Sequence, residues 1–190
     1  YPAVKFGHPK DRRPDLKQVQ TGLAVAADGG VPVFHRAFDG GAGEVGQVIP
    51  MMKAMQAMAG RQELLIVGDS KLVSYQNLAT MVADGVGFIA PASKTYVSAD
   101  DLRAVPGGQA VVVDYVAGRD AGKPAETRGV WRVWEDTMVL AGPRKADPVV
   151  TVRRVFVHSS ARAQAAATSR DRKLDRARDD LGRLERGLGS

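Results

Sequence analysis

The chain has 190 residues, 44% of them apolar, which is enough for one ordinary core or a core with an insertion and excludes a wholly disordered chain. It has no cysteine, so a disulfide framework and thiolate metal sites are excluded, and any metal must use carboxylates or His8, His35 and His158. A formal charge of +6 and a pI near 9.8 favour a polyanionic partner, and no apolar run is long enough for a spanning helix.

In chain order, Val19, Thr21, Leu23 and Val25 alternate with smaller or polar residues, Asp28-Gly29-Gly30 supplies a turn, and Val31 to Phe38 alternates again, which predicts a β-hairpin. Val45, Val48, Ile49, Met52 and Met55 then fall at helical spacing, predicting an amphipathic helix over 44–58 with Gly60 past its end. Leu64-Leu65-Ile66-Val67 is the continuous apolar run of a strand covered on both faces, so Glu63 to Gly68 is expected to be central in its sheet, with Asp69 at its mouth. Ser74 can cap a second helix whose Leu78, Met81 and Val82 point inward; Gly85 ends it, and Gly87 to Ala90 makes another strand.

From about Tyr96 the helices give way to strand-like runs, Gln109 to Val116, Arg128 to Asp136, Thr137 to Ala141 and Val149 to His158, an expected antiparallel β subdomain. Ala161 to Leu188 reads as one long charged helix with a narrow apolar seam of Leu174, Ala177, Leu181, Leu184 and Leu188. The expected fold class is thus α/β: a mixed sheet with flanking helices in residues 1–95, a β-rich antiparallel insertion in 96–158 and a charged amphipathic helix in 159–190.

Asp69 is the leading chemical candidate, because a carboxylate at the end of a rigid strand can ligate Mg²⁺ together with waters and phosphate oxygens. The competing role is an ordinary turn or cap, since strand-to-helix turns favour Asp. Lys10, Arg12, Arg13 and Lys17 cluster beside Pro14, which biases Arg13 towards extended backbone; such cations suit phosphate contacts, as does Lys71, whereas Asp11 and Asp15 offer partial neutralisation. Gly41-Ala42-Gly43-Glu44-Val45-Gly46 matches G-x-G-x-x-G, but the preceding Val33 to Phe38 is a polar-alternating hairpin arm where a dinucleotide-binding unit has a buried parallel strand. The three histidines lack metal-site spacing. Trp131 and Trp134, three apart on one strand, are expected on opposite faces, one in the core and the other available to an interface or a base. Arg170, Arg172, Lys173, Arg176 and Arg178 could follow a DNA backbone, but Asp171, Asp175, Asp179 and Asp180 interleave them as on a solvated face.

The stretch Gly7-His8-Pro9-Lys10-Asp11-Arg12-Arg13-Pro14-Asp15-Leu16-Lys17-Gln18 resembles the G-H-S-K-D-x-R-P-D-L-K-Q signature of the DDE transposases of bacterial insertion sequences, with Pro9 for the usual Ser. Gly22, Leu23, Val25, Asp28, Gly29, Pro32, Phe38 and Gly40 resemble the family's hairpin pattern, although the turn has one extra glycine and Gly41 replaces an Asn. Asp69 falls where the second Asp of the Asp-Asp-Glu triad belongs, with Ser70-Lys71-Leu72 for the common Arg-Gly. The similarity is specific over about residues 5–95 and looser through the insertion.

The resemblance implies an RNase H-like core and a Mg²⁺ (or Mn²⁺) enzyme that cleaves DNA strands and joins them to a target by metal-assisted in-line attack. It implies double-stranded DNA, both transposon ends and target, as partner, a homodimer of the full-length protein, no membrane, and a bacterial cytoplasmic location on the nucleoid. The chain begins without Met and ends as the charged helix runs out, so it reads as an internal segment, inactive alone, with the first Asp expected before Tyr1 and the Glu beyond Ser190. The alternatives are a non-catalytic nucleic-acid-binding domain from a decayed element and, less favoured, a nicotinamide-dinucleotide-binding domain.

Overall fold

The hairpin turn forms where Asp28-Gly29-Gly30 predicts it, with Gly29 and Gly30 at φ of 78° and 66°, a region strained for residues with a β-carbon. Ala26 N–H donates to the Val31 carbonyl at 2.8 Å across the reversal. The structure, a computed structural model, describes residues 1–7, 11–60 and 63–188. It is mixed α/β, with four α-helices and three sheets among those residues. Two compact units divide the chain: residues 1–98 with 139–152, and 99–138 with 153–190.

In the first unit β1 (Lys5–Phe6), β2 (Lys17–Val25) and β3 (Pro32–Asp39) form an antiparallel sheet in that order. The alternation in β2 is present, yet its apolar half faces outward, with Leu23 59% and Val25 53% exposed. Gly22 gives a reason for the inward face: a β-carbon there would collide with the Met51 sulfur, so close approach needs a bare backbone. Gly40 is buried where the three strands converge, and a β-carbon on it would strike the carbonyl oxygens of Gln18 and Lys5.

The next helix, α1 (Val48–Ala59), starts later than 44–58 predicts, after a 3₁₀ turn over Glu44–Gln47. Pro50 accounts for the offset, since it lacks an N–H and its ring clashes with the carbonyl four residues back, so a regular α-helix cannot run from 44 through it. Gly60 closes the helix at φ 64°, its N–H donating to the Gln56 carbonyl at 3.0 Å.

Then come β4 (Leu65–Val67), α2 (Tyr75–Ala83) and β5 (Gly87–Ile89), with β4 and β5 paired in parallel. This corrects the expectation of a covered central strand over Glu63 to Gly68. Among the described residues β4 has one strand neighbour, and Leu65 and Val67 are 60% and 71% exposed, while Leu64 and Ile66 pack against the core. The apolar run specifies a strand but not how many strands flank it. Val82, expected inward, is 49% exposed. The core itself is Met52, Leu72, Leu78, Met81, Val86 and Val150. Asn77 is buried among them and donates through Nδ2 to the Val45 and Leu72 carbonyls, both at 3.2 Å, so the amide satisfies one carbonyl of the 3₁₀ turn and one of the loop before α2 at once.

In the second unit α3 (Ala99–Ala104) precedes β6 (Val111–Val113). The sheet order is β6, β7 (Trp131–Leu140), β8 (Val150–Ser159), residues 139–140 and 150–152 of these strands being counted in the first unit, and β7 is one continuous strand where two runs were expected. Trp134 contacts Phe156 and Asp136 contacts Arg154, pairs that step in opposite directions along β7 and β8 as antiparallel neighbours do. Trp131 packs edge-on against Tyr115 at 5.4 Å, so each tryptophan has an aromatic partner. The last helix, α4 (Ser160–Leu188), begins where Ser160 N–H donates to the Val130 carbonyl at 3.0 Å and its Oγ accepts from Val130 N–H at 2.9 Å.

Arg154 is the electrostatic centre of this unit. Its guanidinium donates twice to Asp136, at 2.8 and 2.5 Å, and once to Asp101 at 3.1 Å, and it lies 4.9 Å over the Phe156 ring. These contacts raise the Arg154 pKa and hold Asp136 below the usual carboxylate range; Lys123, 2.7 Å from its Oδ1, does the same for Asp120. A depressed carboxylate stabilises the fold above its unfolded pKa of about 3.9 and loses that contribution as pH falls through the lower folded value. Thermal melting is therefore expected to be insensitive to Asp120 and Asp136 between pH 5 and 8 and to weaken below about pH 4. Asp136→Asn should flatten the acid limb; an unchanged acid limb would show that Asp136 does not contribute.

Candidate functional site

Asp69 follows β4 directly after Gly68, whose N–H donates to the Ile89 carbonyl at 3.0 Å and so ties the strand end to β5. The chain then turns tightly: Leu72 N–H donates to the Asp69 carbonyl at 3.1 Å and Val73 N–H to the Ser70 carbonyl at 3.3 Å. Ser74 caps α2 as expected, its Oγ accepting from Asn77 N–H at 3.2 Å. The Asp69 carboxylate is exposed at the C-terminal end of a parallel strand, with Oδ1 accepting from Lys71 N–H at 2.8 Å and Oδ2 carrying no hydrogen bond among the described residues. One oxygen thus holds the turn and the other is available to a ligand.

Lys71 lies 3.5 Å from Glu44 Oε2 through its ammonium. In the cation-rich segment Arg13 donates to both oxygens of Asp15, at 2.9 and 2.7 Å, and holds that carboxyl below its ordinary range. Leu16 N–H donates to the Arg13 carbonyl at 3.1 Å, making the turn that Pro14 favours. Lys17 lies in β2 with its ammonium 5.7 Å from the Phe6 ring centre. Arg12 differs from the others: it makes no ion pair among the described residues and sits at φ 63°, the strained left-handed region. Lys10 and His8 lie outside the described residues.

No group of three His, Asp or Glu side chains able to hold a metal ion occurs among the described residues, and His35 and His158 are exposed on separate strands. Asp69 is an exposed carboxylate, the type of oxygen donor that a hard cation prefers. The sequence did not single out Glu44 as the partner of Lys71, nor a groove of about 440 Å³ bordered by Lys5, Arg36, Phe38, Asp39 and Gly41. Lys5 and Asp39 meet there at 2.8 Å across 34 residues of chain, a juxtaposition no local spacing signals. No helix among the described residues is long and apolar enough to cross a membrane. Protein-family models, curated proteins and solved structures yield no match to this chain.

Proposed function

We propose that this chain is a segment of a DDE transposase of a bacterial insertion sequence, an RNase H-like core interrupted by a β-rich insertion, acting on double-stranded DNA. The observation that carries the reading is Asp69, a solvent-facing carboxylate with one unengaged oxygen at the C-terminal end of a strand in a parallel β-α-β unit. Ligands of parallel sheets gather at that end, and the signature segment resembling the family precedes it in the chain. In this reading Asp69 contributes one ligand to a Mg²⁺ or Mn²⁺ site whose other carboxylates come from elsewhere in the full protein. When bound, the metal supplies polarisation of the phosphate and activation of a water or 3′-hydroxyl. Asp69 positions it, Asn77 and the Ser74 cap fix the loop that presents Asp69, and Arg12, Arg13, Lys17, Lys71 and Lys10 hold the DNA backbone.

The glycine-rich reading is less favoured by the local geometry. The strand before Gly41 is an antiparallel hairpin arm, and a 3₁₀ turn separates Gly43 from α1, so α1 does not open directly from a glycine loop as a pyrophosphate site requires. A non-catalytic nucleic-acid-binding role would keep the phosphate contacts and leave Asp69 dispensable.

DNA binding by the isolated chain should be weak and fall steeply with salt. Arg12→Ala is expected to lower the salt slope by about one, as for one phosphate contact, whereas Arg13→Ala lowers it less because Asp15 already occupies its fork. Asp69→Ala should leave binding unchanged or slightly tighter. Fluorescence anisotropy across a salt series measures all three, and a salt-independent affinity, or equal losses from Arg12 and Asp69, would contradict the assignment of phosphate contacts.

A further inference from the structure

Helix α4 runs on far beyond its anchor at Val130: from Ser169 to Arg186 every residue but Gly182 is exposed. A lone helix in water gains little from propensity alone. Its apolar side chains are nevertheless ordered: Ala163, Ala167, Leu174, Ala177, Leu181 and Leu184, with the charged Arg170 in the one remaining place, follow alternating steps of four and three, the a and d positions of a heptad. Leu174, Leu181 and Leu184 are 50%, 59% and 64% exposed along this seam.

We infer that α4 pairs antiparallel with α4 of a second copy of this chain, in the register that sets Leu174 against Ala177, Arg170 against Leu181 and Ala167 against Leu184. The flanking charges select the arrangement. Beside the seam the e positions are Asp171, Arg178 and Glu185, and the charged g positions are Lys173 and Asp180. In this register Asp171 of one copy meets Arg178 of the other, and Lys173 meets Asp180, each pair occurring twice by symmetry.

The nearest competing two-fold arrangements place like charges together. An in-register parallel pair sets Arg170 on Arg170 within the seam, Lys173 beside Arg178 and Asp180 beside Glu185. Sliding the antiparallel pair one layer sets Arg178 on Arg178 and Asp180 on Asp180 in one direction, and Asp171 on Asp171 and Lys173 on Lys173 in the other. In the single chain Arg178 faces Asp175 and Asp180 faces Arg183, both at 3.5 Å and exposed, pairs that exchange partners at little cost. Arg170 can lay its methylenes over Leu181 of the other copy while its guanidinium stays in water. The pairing requires nothing of the proposed chemistry.

The absence of native cysteine makes the test direct. Ala167→Cys and Leu184→Cys are made separately in the 190-residue chain, and mild oxidation is applied to each variant and to their mixture. Residues 167 and 184 of opposite copies coincide, whereas like positions lie about 25 Å apart at 1.5 Å per residue, so the mixture should form a disulfide-linked dimer and each variant alone should not. Self-linking of each variant alone would overturn the antiparallel pairing, and a monomer in sedimentation equilibrium with no cross-link in the mixture would overturn pairing altogether. Arg178→Asp should weaken dimerisation about three- to tenfold, and Asp171→Arg with Arg178→Asp should restore it. Strengthening by Arg178→Asp would indicate a parallel pair.

Discussion

If the proposed function holds, Asp69→Asn is expected to abolish Mg²⁺-dependent nicking of element ends by the transposase, as completely as Asp69→Ala does. The two substitutions separate the possible roles of this side chain. Asparagine can still accept the 2.8 Å hydrogen bond from Lys71 N–H and hold the turn, but it cannot supply a carboxylate to a hard cation. Alanine loses both, at a local cost of about 1 kcal/mol, because the group is exposed and the hydrogen bond is a turn contact. Loss of a ligand that stabilises charge in the transition state is worth several kcal/mol, so the rate should drop by at least about a thousandfold in both variants. Wild-type cleavage by Asp69→Asn, with Asp69→Ala merely less stable, would leave Asp69 a turn residue and sink the transposase mechanism.

Leu78→Ala is expected to destabilise the first unit by about 3–4 kcal/mol, through lost transfer energy and the cavity left behind. The effect is large because the buried apolar core described there has six members, and Leu78 is 1% exposed in the same cluster as Met52 and Met81, both fully buried. For a unit of this size such a loss lowers the melting midpoint by roughly 10–20 °C. Hydrogen exchange over residues 48–90 should rise accordingly, whereas Leu181→Ala, at a position 59% exposed on α4, should leave that region unaffected. Equal protection in Leu78→Ala and the parent chain would mean that this cluster does not hold the unit together.

Much of the fold could be read from residues whose chemistry is local. Asp28-Gly29-Gly30 specifies a reversal because glycine accepts positive φ, and Ser74 specifies the start of α2 because its hydroxyl accepts from Asn77 N–H. Where the reading failed, the missing information was non-local or was outweighed by a single residue. Leu64-Leu65-Ile66-Val67 states that a strand forms, and says nothing of how many strands flank it. The helical spacing from Val45 extends through the 3₁₀ turn, but Pro50 delays the α-helix to Val48. Thr137 reads as the start of a new strand, yet β7 runs unbroken through it from Trp131 to Leu140. For the site, the position of Asp69 at a strand end and the partial neutralisation of the cation cluster by Asp15 were legible, whereas the engagement of Lys71 by Glu44 depended on side-chain geometry that spacing does not encode.

Gly40 limits what this chain can become under random substitution. A side chain at that position would strike the carbonyl oxygens of Gln18 and Lys5, which belong to two other strands and cannot rotate aside as a flexible side chain can. Gly43 and Gly46, a few residues on, face open space at the point where a β-carbon would project. In a saturation library selected for folding, position 40 should therefore return glycine alone while positions 43 and 46 drift, so genetic variation would accumulate along the glycine-rich stretch and stop abruptly at its first member.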